Sequence, residues 1–270
     1  MYFDYIKNEY KFISIGFMCY GKKFINKYVE KTETNFFDYI GSSVWVINDL
    51  IKNDFYIEND LLYNKKDYEL YKTLTSEYIV ANIKFYIKFM HDFVYKQSTS
   101  TITDDEILNL KEKYTRRAYR FMNLLKEQKK ILFIRLEEDM RNMTYNIHKT
   151  KFETTELEHL KEFTNIIKQM YPSLQFEVIY ITTKEATQYI NDNNILIINS
   201  PLSLEWQNKN GINWSNCDNK IKELFDKNMS YIVKYILKDN YLSNNVSLFD
   251  KSNLLLHKFN NKKILKYKKY

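Results

Sequence analysis

Along the chain, short uninterrupted apolar runs alternate with longer stretches in which apolar residues recur every three or four positions. The first pattern marks strands buried on both faces, the second helices with one apolar face. Residues 11–16 (KFISIG) read as a buried strand ended by Gly16, and 18–29 as a helix with Phe24, Ile25 and Tyr28 on one side. Residues 35–41 (NFFDYIG) read as a turn-like connection. Ser42 or Ser43 then N-caps a helix carrying Val44, Val46, Ile47, Leu50 and Ile51. The stretch to about Thr75 is rich in Tyr, Asn, Asp and Lys and has no clean period. Beyond it Ile83, Phe85, Ile87 and Phe89 alternate with Lys84, Tyr86 and Lys88, which predicts a half-buried strand leading to His91-Asp92-Phe93.

From Thr103 the periods sharpen. Thr103-Asp104-Asp105-Glu106 has capping-box spacing, ahead of a helix to 127 marked by Ile107, Leu110, Tyr114, Ala118, Phe121 and Leu125. Residues 131–136 (ILFIRL) form a continuous apolar strand. A helix over 154–170 follows, with Pro172 just past its end, then strands over 176–181 and 195–199 and a closing helix over 219–237. This order predicts an α/β fold with a mostly parallel sheet, right-handed crossovers and helices on both faces, Rossmann-like in kind. No repeat or linker divides it, so 1–270 reads as a single α/β domain. Residues 1–100 form its motif-bearing N-terminal part, and 101–270 a strand and helix crossover part ending in a basic tail.

Composition narrows the class without naming a function. Only 4 Gly and 2 Pro exclude collagen-like and low-complexity chains, and 24 Tyr with 18 Phe imply a well-filled core. Two cysteines are too few for a disulfide framework, which fits a reducing compartment. The net charge of +7 invites a polyanion partner. Lysines are nevertheless scattered among Glu and Asp, and the joint abundance of Asn, Ile, Tyr and Lys is what an AT-rich genome writes. The tail lysines 258, 262, 263, 266, 268 and 269 read as a solvated end, with at most non-specific contact to nucleic acid. Residues 1–12 lack a signal-peptide pattern and no stretch reaches the ~18 apolar residues of a membrane span, so an intracellular, cytoplasmic protein is expected.

The candidate chemistry lies near the N-terminus. Cys19 stands just past a strand and a glycine turn, at a predicted helix start, where a thiolate is favoured. At such a place it is either a nucleophile or a small buried core residue. The ordered set Ser14, Gly16, Cys19, then Phe37, Asp38, Tyr39, Ile40, Ser43, then His91, Asp92, Phe93 resembles a known family. Its members, found in bacteria and large DNA viruses, are catalogued as papain-like cysteine peptidases. Arg116, Arg117 and Arg120 ahead of the 131–136 strand match that family's Arg-rich helix, whereas Tyr39 stands where it more often has Trp. The resemblance implies acyl transfer, with Cys19 attacking a carbonyl, His91 moving the proton and Asp38 or Asp92 orienting the imidazole. Ser14, Gly16 and Ser43 would frame the substrate. Asp92 adjoins His91 on a predicted strand and would point away from it, which favours Asp38.

Other classes remain open. A papain fold would set its cysteine on a long central helix against an antiparallel sheet, whereas this chain reads as strand-first α/β. In open α/β sheets ligands bind at the carboxyl ends of strands, where Gly16 to Cys19, Arg135 to Asp139 and Thr182-Thr183 fall. Arg135, with Arg117 and Arg120, would hold a diphosphate there, as a sugar-nucleotide-dependent glycosyltransferase requires. Trp206 and Trp214 around 208–213 would serve a non-enzymatic binding module. No glycine-rich nucleotide loop is present, and His148, His159 and His257 lack ligand spacing, so no metal or other cofactor is expected.

Overall fold

A computed structural model describes residues 2–16, 19–58, 61–72, 78–89, 91–93, 100–127, 130–137, 155–182, 191–192, 194–199 and 217–237. In chain order its first elements are α1 (Tyr2–Glu9), β1 (Lys11–Ser14), α2 (Tyr20–Phe24), β2 (Ile40–Gly41), α3 (Val44–Lys52), β3 (Tyr68–Lys72), β4 (Tyr78–Asn82) and β5 (Ile87–Phe89). Then come α4 (Asp104–Lys126), β6 (Ile131–Leu136), α5 (Glu156–Met170), β7 (Phe176–Thr182), β8 (Asn191–Asp192), β9 (Ile195–Asn199) and α6 (Cys217–Leu237). Met1–Asn228 form one compact unit and Met229–Tyr270 a second, which holds the last turns of α6; the site lies in the first.

The apolar runs pair as expected. β1, β6, β7 and β9 are parallel neighbours in that order, with β8 antiparallel on the edge beside β9. Every residue of β6 and β7 is buried, because both faces of the sheet are covered. One face, with Ile13, Phe133 and Val178, shares a core with Ile47 of α3, Phe121 of α4 and Phe163 of α5. Alternation along β1 turns Phe12 to the other face. There Phe3 of α1 lies 6.3 Å from Phe12, and Phe24 of α2 stacks 4.7 Å from Phe225 of α6. The parallel strands follow chain order without reversal, so the described strands lack the switch point of a doubly wound sheet. The fold is α/β, and its Rossmann-like character is not carried by this order.

A second sheet, absent from the sequence reading, is antiparallel, in the order β2-β5-β4-β3. The single strand predicted over 83–89 is instead a turn followed by β5. Asn82 Oδ1 accepts from the Phe85 amide at 2.9 Å and Tyr86 takes φ +53°, which folds 83–86 back between β4 and β5. β3 occupies the stretch that showed no period. Helix starts were more legible: Thr103 and Thr155 both form reciprocal capping boxes, with Glu106 and Glu158. Ser43 takes the N-cap position of α3 but its side chain bonds nothing there. Among the described residues no helix is long and apolar enough to cross a membrane. Trp206, Trp214, Thr154, His148, His257 and the tail lysines lie outside the described residues.

Candidate active site

The turn after β1 is fixed by its glycines. Gly16 takes φ +75°, and a Cβ there would stand 2.9 Å from both Arg135 Nη1 and Ser42 Oγ. Gly21 lies so close over Ser14 that a Cβ would collide with the Ser14 Oγ. Between them the chain enters α2 with Cys19 at its N-cap, and the Lys23 amide donates to the Cys19 carbonyl at 2.9 Å. Cys19 is 6% exposed. Burial pushes its thiol pKa up, and the Lys23 ammonium, one helical turn on, offsets only part of that rise.

The antiparallel sheet brings the histidine to this turn. β2 starts directly after Tyr39, β5 ends at Phe89, and Ile40 pairs with Phe89. The residues before β2 and after β5 therefore emerge side by side. The Tyr39 and His91 rings meet edge to face, with centroids 5.9 Å apart at 82°. Partial desolvation, and then the Lys23 ammonium, hold His91 below the ordinary imidazole pKa. Tyr39, half-buried, has its phenol pKa raised by burial and by the charges of Asp38 and Cys19, against Arg117 and Lys23. Tyr39 thus touches His91 and feels the charges of Cys19, Lys23, Asp38 and Arg117.

Neither predicted orienting carboxylate bonds His91. Asp92 gives one oxygen to the Lys113 ammonium and the other to the Tyr114 hydroxyl, the latter at 2.7 Å. Asp38 is fully buried. Its Oδ2 accepts from the Asn35 amide at 2.6 Å and pairs with Lys22 Nζ at 3.2 Å, while Oδ1 has no partner. Lys22, 1% exposed, also donates to Thr32 Oγ1 at 2.6 Å and to the Glu33 carbonyl at 2.7 Å. Desolvation drives both members of this pair toward neutrality, raising Asp38 and lowering Lys22.

The three arginines of the diphosphate reading part company. Arg135 has 0% exposure; its Nε binds Glu156 and its Nη1 donates to the Ile15 and Ser42 carbonyls at 2.9 and 3.0 Å. It braces the ends of β1 and β2 against α5. Arg120 is tied to Glu33 and to the Thr34 carbonyl. Arg117 has its guanidinium 4.8 Å from the Tyr114 ring centre, with no hydrogen bond to its Nη1. Ser14 and Ser42 are buried with unpartnered hydroxyl oxygens, and Ser43 is half-buried.

Sequence reasoning missed Lys22 and Lys23. Their i+3 and i+4 spacing from Cys19 on a predicted helix was the available signal, hidden among so many lysines. Neither the curated proteins nor the solved structures contain a match to this chain. Residues 10–186, from the residue before β1 to just past β7, match the model of a protein family. The chain belongs to that family, described as "Putative papain-like cysteine peptidase (DUF1796)".

Proposed function

We propose that this protein is a cysteine-dependent hydrolase of the peptidase type, with Cys19 as nucleophile and His91 as its proton shuttle. The observation that supports it is the convergence on Tyr39, whose ring meets His91 and whose phenol feels the Cys19 and Asp38 charges. In this reading His91 takes the thiol proton and the sulfur bonds the carbonyl carbon. The first-turn amides of α2 receive the oxyanion. The tetrahedral adduct collapses, the C–N bond breaks, and His91 returns the proton to the leaving amine. Water then attacks the thioester with His91 again as base, the C–S bond breaks to release the acid, and His91 returns the proton to the Cys19 sulfur. Asp92 is held by Lys113 and Tyr114, and Asp38 by Lys22 and the Asn35 amide, so in this reading Cys19 and His91 act as a pair with no carboxylate bonded to the imidazole. A neutral imidazole at neutral pH, as the lowered His91 pKa provides, suits a base.

The test is hydrolysis of a fluorogenic peptide pool by Cys217→Ser protein, compared with the same protein carrying Cys19→Ala or His91→Ala. Loss of all turnover in the first and a drop of about 10²–10⁴-fold in the second are expected. Unchanged turnover in His91→Ala protein would sink the pair.

A further inference from the structure

Two cations at the site form no ion pair among the described residues, although Arg117 lies close enough to Asp38 to favour its charged form. Lys23 is exposed, and its Nζ lies 5.7 Å from the Tyr20 ring centre without an ion pair. Arg117 is 8% exposed, stacked on Tyr114, with Nη1 lacking any partner. The neighbouring cations are accounted for: Lys22 pairs with Asp38, Lys113 with Asp92 and Arg120 with Glu33. An unpartnered guanidinium nitrogen at this depth carries a desolvation penalty that an anion would remove. Lys23 lies one helical turn after Cys19, and Arg117 stands over the ring of Tyr114, whose hydroxyl donates to Asp92 beside His91.

Resting on the hydrolase reading above, we propose that Lys23 and Arg117 form an anion subsite beside Cys19 that selects acyl substrates carrying a carboxylate near the scissile bond. Charge sets the class. A reacting thiolate offsets one of the two cations, and the other is left for a single negative charge. That matches a carboxylate, as on an acidic residue, better than a dianionic phosphate. Arg117 supplies a directed N–H and Lys23 a mobile ammonium at the rim, so the buried cation fixes the carboxylate and the exposed one admits it.

Iodoacetate and iodoacetamide test this directly. Both alkylate the same thiolate, with the sulfur displacing iodide, so the ratio of their rate constants cancels the thiolate fraction and reports only the attraction for the carboxylate. In Cys217→Ser protein the iodoacetate-to-iodoacetamide ratio at Cys19 should exceed that of the urea-unfolded chain by about tenfold. Lys23→Gln, at an exposed position, should lower it about threefold, and added salt should do the same. Arg117→Lys should keep part of the preference and Arg117→Gln less. A folded-state ratio equal to the unfolded one, or one indifferent to Lys23→Gln, would overturn the subsite. If peptide hydrolysis persists in that case, the hydrolase reading stands and the subsite alone falls. A raised ratio in protein that hydrolyses nothing supports the subsite and removes the reaction assigned to it.

Discussion

Where the parallel sheet reaches the site, its arginine is locked. Arg135 is wholly buried and joins the Ile15 carbonyl, the Ser42 carbonyl and Glu156 in one bonded node. Where the antiparallel sheet reaches it, the histidine is loose. His91 is exposed, lies just beyond the end of β5 and makes no hydrogen bond among the described residues; an edge-to-face ring contact is what it has. On the proposed mechanism the difference divides the labour. A nucleophile gains from a fixed turn, which the buried sheet supplies, whereas a proton shuttle has to reach first the sulfur and then the leaving group. The short β2–β5 pairing brings His91 beside Tyr39.

The sharpest way to break this contrast is Arg135→Met. Removing one partner of a buried ion pair leaves Glu156 and two carbonyls without their donor, which costs about 3–5 kcal/mol. The urea midpoint should fall accordingly. A loss of less than about 1 kcal/mol, the scale of a surface ion pair, would mean that the node is not a lock. The Lys22 and Asp38 pair comes next, because it clamps α2 to the 35–38 turn. Lys22→Met alone should cost about 3 kcal/mol, and adding Asp38→Asn should restore most of it, since a buried pair is worth little against neutral replacements.

That pair also carries a pH signature. Asp38 titrates above its unfolded value, so its stabilising contribution is present below the unfolded pKa and is lost as pH rises through the raised one. Lys22 titrates below its unfolded value, so its contribution is present at high pH and is lost as pH falls through the lowered one. Asp38→Asn should therefore flatten the acid side of a stability profile measured by urea midpoints. A profile unchanged by that substitution would show that the carboxyl is not desolvated as described.

Gly16→Ala should have a smaller effect. Its φ of +75° strains any L-residue, and the added Cβ would press on Arg135 and Ser42 at 2.9 Å. A loss of about 1–3 kcal/mol follows. Iodoacetamide labelling of Cys19 should slow by more than labelling of Cys217, because the turn that presents the thiol is what moves.

The same contrast explains what could be read in advance. β1, β6, β7 and β9 were visible because strands buried on both faces read as nearly continuous apolar runs. The antiparallel sheet was not visible. β2 has two residues and β5 three, too short for a period, and the 83–86 turn depends on Asn82 and a positive φ at Tyr86 rather than on Gly or Pro. Cys19 and Gly16 could be placed from a strand ending in a glycine turn. Arg135 could not, because an arginine inside an apolar run reads equally as a ligand and as a buried brace, and only its partners decide. The non-reversing strand order was likewise hidden, since hydrophobic pattern fixes which residues pair inward but not which strands are neighbours.

Helix caps give the mildest test of the contrast, and its size differs between the two sides. α5 follows the parallel strand β6 and opens on the Thr155 capping box, in which hydroxyl and Glu158 carboxylate each satisfy a backbone amide. Thr155→Ala should cost about 1 kcal/mol. α3 follows β2, and Ser43 occupies its N-cap with extended backbone but no side-chain bond. Its helix is held instead by packing, through Val44, Val46, Ile47 and Leu50, all buried. Ser43→Ala should then cost no more than about 0.5 kcal/mol, the scale of an ordinary surface change. Paired urea titrations of the two alanine variants measure both. A Ser43→Ala loss as large as that of Thr155→Ala would show that the entry to α3 is fixed by the hydroxyl, and that this side of the site is locked by polar bonds too.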